Sequence, residues 1–365
     1  MIDSVRFQTT IPQDKLLKSK WTKEKVPKGK YKGEEYYRAF MDGIWLGYYP
    51  LTKSLIISGR IINIICHNRI SNFDDLFTTQ EEIITFFRNF NKRLNEYFQD
   101  IKIDITKLKV TKIDYCFNLK TEYVDTYIKF FNDYFKENKD TLFSRHKNYT
   151  LEFSQDNSSS CYIKTNADFR ENIKRNFVIN FYNKGAQLEN KKKEDIEKRK
   201  FSNIKDEDIK RGNNILRLEI QVYYNTLKAV CKKNNLPWTK RCLHYLFDVN
   251  IATYVFQSFM KRFFTTCDYY SHKRAKEVLK ENGYRGSHKI YDYINGIAHH
   301  KKVKRSVTYD NKLKELGICP YCFIPTSYNI DKLENPLKLI DRKIIESSTY
   351  NLSLRRKAEL YVRRV

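Results

Sequence analysis

Three stretches of this chain alternate apolar and polar residues with a period of two, and each collects reactive side chains on its polar row. Successive side chains of a strand point to opposite faces, so such a stretch can be sorted by parity. In KLKVTKIDYCFNLK, Ile113, Tyr115, Phe117 and Leu119 oppose Lys112, Asp114, Cys116 and Asn118. In NFVINFYNKGAQ, Phe177, Ile179 and Phe181 oppose Asn180, Tyr182 and Lys184. In ILRLEIQVYY, Leu216, Leu218, Ile220 and Val222 oppose Arg217, Glu219 and Gln221. Three strands with one greasy row each fit a sheet with one covered face, and the polar rows then share the other, open face.

The cover comes from two amphipathic segments. Thr79 with Glu82 has the spacing of a capping box, and Ile83, Phe87, Phe90, Leu94 and Phe98 follow at helical intervals. A second helix carries Val124, Tyr127, Ile128, Phe131 and Phe135 on one side. The N-terminal runs VRFQTT, YYRAFMDGIWLGYYP and KSLIISG read as strands between Gly and Pro punctuation, as do NYTLEFS and SSSCYIKTN further on. Residues about 189–213 are densely charged with no sustained apolar stripe, which predicts an exposed, partly helical insertion. Gly185 is expected to end or bulge the strand before it. Beyond residue 224 the patterns turn helical. The expected architecture is α+β: an antiparallel sheet with helices on one face over 1–224, then a basic, mostly α-helical domain over 225–365.

The 365 residues carry a formal net charge of +26, more of it in the second half than in the first. A polyanionic partner follows, and nucleic acid is expected over a membrane surface because no amphipathic lipid-binding helix stands out. Clusters such as KKVKR at 301–305 and RRK at 355–357 suit phosphates without reading bases. No apolar run approaches the ~18 residues of a membrane span, and the start has no long apolar segment, so a cytoplasmic location is expected. The eight cysteines are scattered, as reduced thiols are. Cys319-Pro-Tyr-Cys322 lacks a second ligand pair for zinc and reads as a turn lined by two small side chains. His299 and His300 sit in a basic segment, as solvated or phosphate-facing residues.

On pattern alone the polar rows fit either a solvated sheet face or a site. The stretches LKVTKIDYCFNL, NFVINFYNKGAQLEN and ILRLEIQVYYNTLKAVCKKNNLP, in this order and with this insertion, resemble the rolling-circle replication initiators of filamentous phages and related plasmids. The opening MIDSVRFQTTIP resembles the phage members as well, and the resemblance covers residues 1 to about 240. It implies a nickase-like catalytic domain in which Tyr182 is the nucleophile, Lys184 and Arg217 are catalytic cations, and Asp114 and Glu219 hold a divalent metal, Mg²⁺ or Mn²⁺. It implies origin DNA as substrate, double-stranded and extruded single-stranded, with a host helicase and polymerase as partners. Lys112 stands where the family pattern has Arg, and there is no His-x-His pair, so carboxylates would carry the metal.

The residue types suit that chemistry. A phenol with pKa ≈ 10 is about one part in a thousand ionised near neutrality and needs activation. Hard oxygen ligands suit Mg²⁺ or Mn²⁺. Two other readings use the same residues: a noncatalytic DNA-binding regulator that docks on the sheet, and a tyrosine recombinase, which lacks its Arg-His-x-x-Arg constellation here.

Overall fold

The computed structural model describes residues 2–12, 21–26, 32–41, 44–61, 80–98, 102–137, 151–153, 159–165, 176–197, 204–263, 266–284, 288–299 and 306–342. Ten strands form one sheet: β1 (Ile2–Thr10), β2 (Thr22–Lys25), β3 (Glu35–Met41), β4 (Ile44–Tyr49), β5 (Ser54–Arg60), β6 (Lys109–Lys120), β7 (Leu151–Phe153), β8 (Ser160–Thr165), β9 (Phe177–Asn183) and β10 (Ile215–Tyr223). Their order is β2-β3-β4-β5-β1-β6-β10-β9-β8-β7. Every pairing is antiparallel. The three alternating stretches are β6, β10 and β9, side by side at the centre.

The greasy rows behave as parity requires. Ile113, Tyr115, Phe117 and Leu119 of β6, Leu216, Leu218, Ile220 and Val222 of β10, and Phe177, Ile179 and Phe181 of β9 all belong to one buried cluster. Helix α1 (Gln80–Tyr97) adds Phe86, Phe87, Phe90 and Leu94 to that cluster, and α2 (Val124–Glu137) adds Val124, Tyr127, Ile128, Phe131 and Phe135. Burial of such side chains contributes about 1.5–3 kcal/mol each, which makes this layer the main source of stability. Thr79 of the expected capping box lies outside the described residues, as do the basic clusters 301–305 and 355–357.

Between β9 and β10 the charged insertion forms two helices, α3 (Lys184–Glu197) and α4 (Asp206–Asn213), pinned by a small cluster of Leu188, Ile204 and Ile215. Gly185 neither ends nor bulges the strand. It lies in the first turn of α3, where a Cβ would stand 1.9 Å from Asn213 Oδ1 and 2.6 Å from the Ile209 carbonyl. Glycine is required because the two helices cross at backbone contact, Gly185 against Gly212.

After β10 come α5 (Tyr224–Lys233), the short α6 (Leu243–Leu246) and α7 (Val249–Phe263). Leu227, Leu243, Leu246, Phe256 and Phe259 from this part pack into the same cluster as the sheet. Phe256 meets Phe117 edge-on at 4.7 Å between ring centres, and Phe259 meets Phe177 at 5.0 Å. A separate core gathers Ala275 and Leu279 of α8 (His272–Glu281), Ile290 and Ile294 of α9 (His288–Ala298) and Leu313 of α10 (Val307–Glu315). The Cys319 and Cys322 sulfurs lie 3.8 Å apart in buried positions beside the small β11 (Tyr269–Tyr270) and β12 (Lys332–Leu333) pair. Among the described residues no helix is long and apolar enough to cross a membrane.

Candidate active site

The pairing of the central strands brings the polar rows together. Arg217 is opposite Asn118 on one side and Tyr182 on the other. Glu219 lies between Cys116 and Asn180, and Gln221 faces Asp114. Tyr182, Arg217, Glu219 and Asp114 therefore share one face, as parity predicts.

That face is not the solvated one expected for an antiparallel sheet with one covered side. Arg217 is fully buried, and Asp114, Tyr182 and Glu219 expose 3%, 6% and 7% of their surface. The side chains close over one another, because neighbouring strands are only ~4.8 Å apart and the long polar groups lie against each other as ion pairs. Helix α3, packed at the ends of β9 and β10, adds to the cover.

Tyr182 donates its phenolic proton to Glu219 Oε2 at 3.2 Å. Gln221 Nε2 donates to the other carboxylate oxygen, Oε1, at 2.8 Å, and Tyr223 Oη donates to Gln221 Oε1 at 3.1 Å. Glu219 is thus held from both sides, with Arg217 Nε 3.9 Å from Oε2. Burial pushes the Tyr182 phenol well above its ordinary value; the charges of Glu219 and Asp3 add to this, against Arg217 and Arg60. The phenol is neutral at physiological pH and needs a base to react.

Asp3 is the residue that sequence reasoning missed. It forms an ion pair with Arg217 Nη2 and lies 3.5 Å from Arg60 Nε. Burial works to raise this carboxyl, and the charges of Arg217, Arg60 and Lys184 overcome it, holding it well below the usual carboxylate range. Asp3 reaches the site through a β-bulge: Ile2 pairs with Tyr115 but Ser4 pairs with Asp114, leaving Asp3 as the extra residue. A bulge re-aims a side chain in this way. Its trace in the sequence is two successive polar residues, Asp3-Ser4, between the inward Ile2 and Val5.

Lys184 does not continue the strand. Asn183 Oδ1 accepts the backbone N–H groups of Gly185 at 2.9 Å and Ala186 at 3.2 Å, which starts α3 at once. Asn183 is itself fixed by Asp125 of α2 at 2.9 Å. Lys184 is buried at the head of the helix and donates to Gln187 Oε1 at 2.8 Å. Burial, then the charges of Arg217 and Arg60, bring its ammonium down to about 7, against Asp3.

Asp114 accepts from Ser4 Oγ and from Lys112 Nζ at 2.8 Å, both at Oδ2. Its Oδ1 is buried without a hydrogen-bond partner. Burial pushes this carboxyl up to about 6, with the charge of Glu219 adding to it and Lys112 and Ser4 opposing. Asp114 and Glu219 are diagonal neighbours across β6 and β10. Among the described residues no group of three or more His, Cys, Asp or Glu side chains is placed to hold a metal. What the cluster offers a hard cation is two mutually repelling carboxylates and one unsatisfied buried oxygen, and that donor set fits Mg²⁺ or Mn²⁺ completed by water.

No family model matches the chain, and no curated protein matches it. Among solved structures it is similar to the rolling circle replication initiator protein from Geobacillus stearothermophilus, at 11% identity over 70% of this chain and 83% of that one, with a TM-score of 0.25.

Proposed function

We propose that this chain is a DNA-nicking replication initiator in which Tyr182 is the nucleophile. The observation that supports this most directly is the hydrogen bond from the Tyr182 phenol to Glu219, beside a buried arginine, at the positions where the sequence resembles such enzymes.

Glu219 Oε2 is placed to take the phenolic proton as the tyrosyl oxygen attacks the phosphorus of a phosphodiester. The phosphorus–O3′ bond breaks and the departing oxygen takes up a proton. The products are a 5′-phosphotyrosyl link and a free 3′-hydroxyl, from which a polymerase can extend. One phosphodiester has been exchanged for another, so the reverse attack by a 3′-hydroxyl rejoins the ends. Arg217 supplies positive charge beside the tyrosine, with Arg60 adding to it, where it favours the phenolate and the phosphate oxygens, and Lys184, two residues along the chain, is the further cation of this reading. Asp114 and Glu219 would hold the divalent cation, which supplies charge to polarise the phosphate. Substrate reaches the phenol only when the side chains over it part, because Tyr182 exposes 6% of its surface.

The test is a supercoiled circle carrying the coding region of this chain and its flanks, incubated with protein and Mn²⁺. Nicked circles with protein on the 5′ end are expected, and none with Tyr182→Phe. Binding without nicking by the unaltered chain would favour the regulator, a 3′-phosphotyrosyl link the recombinase, and unchanged nicking by Tyr182→Phe would remove this tyrosine from the mechanism.

A further inference from the structure

A file of aromatic and cationic side chains crosses the same face of the sheet two residues from Asp114. Phe40 pairs with Trp45, Trp45 with Ser58, Ser58 with Arg6, Arg6 with Lys112, and Lys112 with Tyr223. Six adjacent strands each contribute one residue, so the file spans about 24 Å at ~4.8 Å per strand. Phe40 is 75% exposed on the sheet surface. Trp45 lies along the sheet over Gly47, where a Cβ would come within 2.3 Å of the indole ring. Glycine there leaves room for the indole against the strand. Lys112 Nζ is 5.3 Å from the centre of the Tyr223 ring and joins the file to the site through Asp114.

We infer that this file is a docking track for single-stranded DNA, with unpaired bases stacked on Phe40 and Trp45 and phosphates on Arg6 and Lys112. The inference rests on the nicking reading for the identity of its ligand. Three features favour this occupant over a protein. An exposed phenyl ring beside an indole packed over a strand suits bases, which a duplex hides and a single strand exposes. Two neighbouring cations, Arg6 and Lys112, lie between the Phe40–Trp45 ring pair and the Tyr223 ring, so one file offers partners to both bases and phosphates. The track is also continuous with the site through Lys112 and Asp114, in a chain of net charge +26. The last ring of the track, Tyr223, donates to Gln221, Gln221 donates to Glu219, and Glu219 accepts from the Tyr182 phenol, so the track runs into the site by a chain of hydrogen bonds.

The experiment measures binding, so it does not depend on catalysis. Full-length protein carrying Tyr182→Phe is titrated with a fluorescent oligothymidylate of about 16 nucleotides. Adding Phe40→Ala or Trp45→Ala is expected to weaken binding roughly tenfold each, while Trp45→Phe keeps most of it. Arg6→Gln is expected to lower the slope of log K against log salt by about 0.7. Phe40 is exposed enough that its replacement leaves the fold intact, which a melting curve verifies. The track is overturned if the Phe40, Trp45 and Arg6 variants bind like their parent, or if the parent does not bind the oligonucleotide. Loss of binding in these variants with no nicking by the unaltered chain would sink the nicking reading and leave the track standing.

Discussion

The polar face of the sheet is built in two ways. At its centre, across β1, β6, β10 and β9, charged groups are buried and paired with each other; on the β3–β5 wing, Phe40 stands exposed and Trp45 is half-buried over Gly47. The centre holds Tyr182, Glu219, Arg217 and Asp3 in fixed geometry through mutual ion pairs and hydrogen bonds. On the wing, Phe40 makes no comparable commitment. A reaction needs positions held to a fraction of an ångström, whereas stacking tolerates whichever base arrives. The difference also separates where stability resides from where affinity would reside.

The sharpest way to break this division is at Arg217. Replacing it by Met leaves Asp3 buried with Arg60 as its remaining ion-pair partner, and a loss of about 3–5 kcal/mol is expected in denaturant unfolding. Adding Asp3→Leu should return part of that loss, and a double variant as unstable as the single one would show that the pair is not what Arg217 supports. Next in size is Gly185→Ala, which drives a methyl group into the α4 backbone and should cost about 1–3 kcal/mol with the sheet intact.

A smaller effect concerns pH. The folded Asp114 carboxyl sits at about 6, above its ordinary value of 3.8. Between these values the folded state holds a proton that the unfolded state has released, so this group makes stability fall as pH rises across that window. Asp114→Asn should flatten the fall, and an unchanged pH profile of melting would show that the carboxyl is not raised. Asp3 has the opposite sign, because its depressed carboxyl contributes stability that is lost as pH drops below the ordinary carboxylate range. Smallest of all, Phe40→Ser on the wing should change stability by no more than about 0.5 kcal/mol, and a larger change would mean that Phe40 is structural.

Much of this was legible in the sequence because period-two alternation is a direct image of the pleat. It placed Tyr182, Arg217, Glu219 and Asp114 on one face without any knowledge of strand order. It failed where the backbone leaves the regular pleat. The bulge at Asp3 shifts parity by one, and the Asn183 cap turns the chain into a helix before Lys184, so neither residue obeys an alternation rule. Burial of the face was equally hidden, because it depends on which charged rows become neighbours, and pairing order is a tertiary fact. The hydrogen bond from Tyr182 to Glu219 joins residues 37 apart in sequence, across an insertion whose own pattern gives no hint of it.

That insertion has one more consequence. The phenol of β9 and the guanidinium of β10 are aligned by the seven cross-strand partners the two strands share, and the loop that links them is not what sets the alignment. Evolution can therefore lengthen, shorten or redecorate the link between α3 and α4 while Tyr182 and Arg217 stay paired. A single residue added inside β9 is another matter: it would rotate everything beyond it by half a pleat and deliver the tyrosine to the oily side.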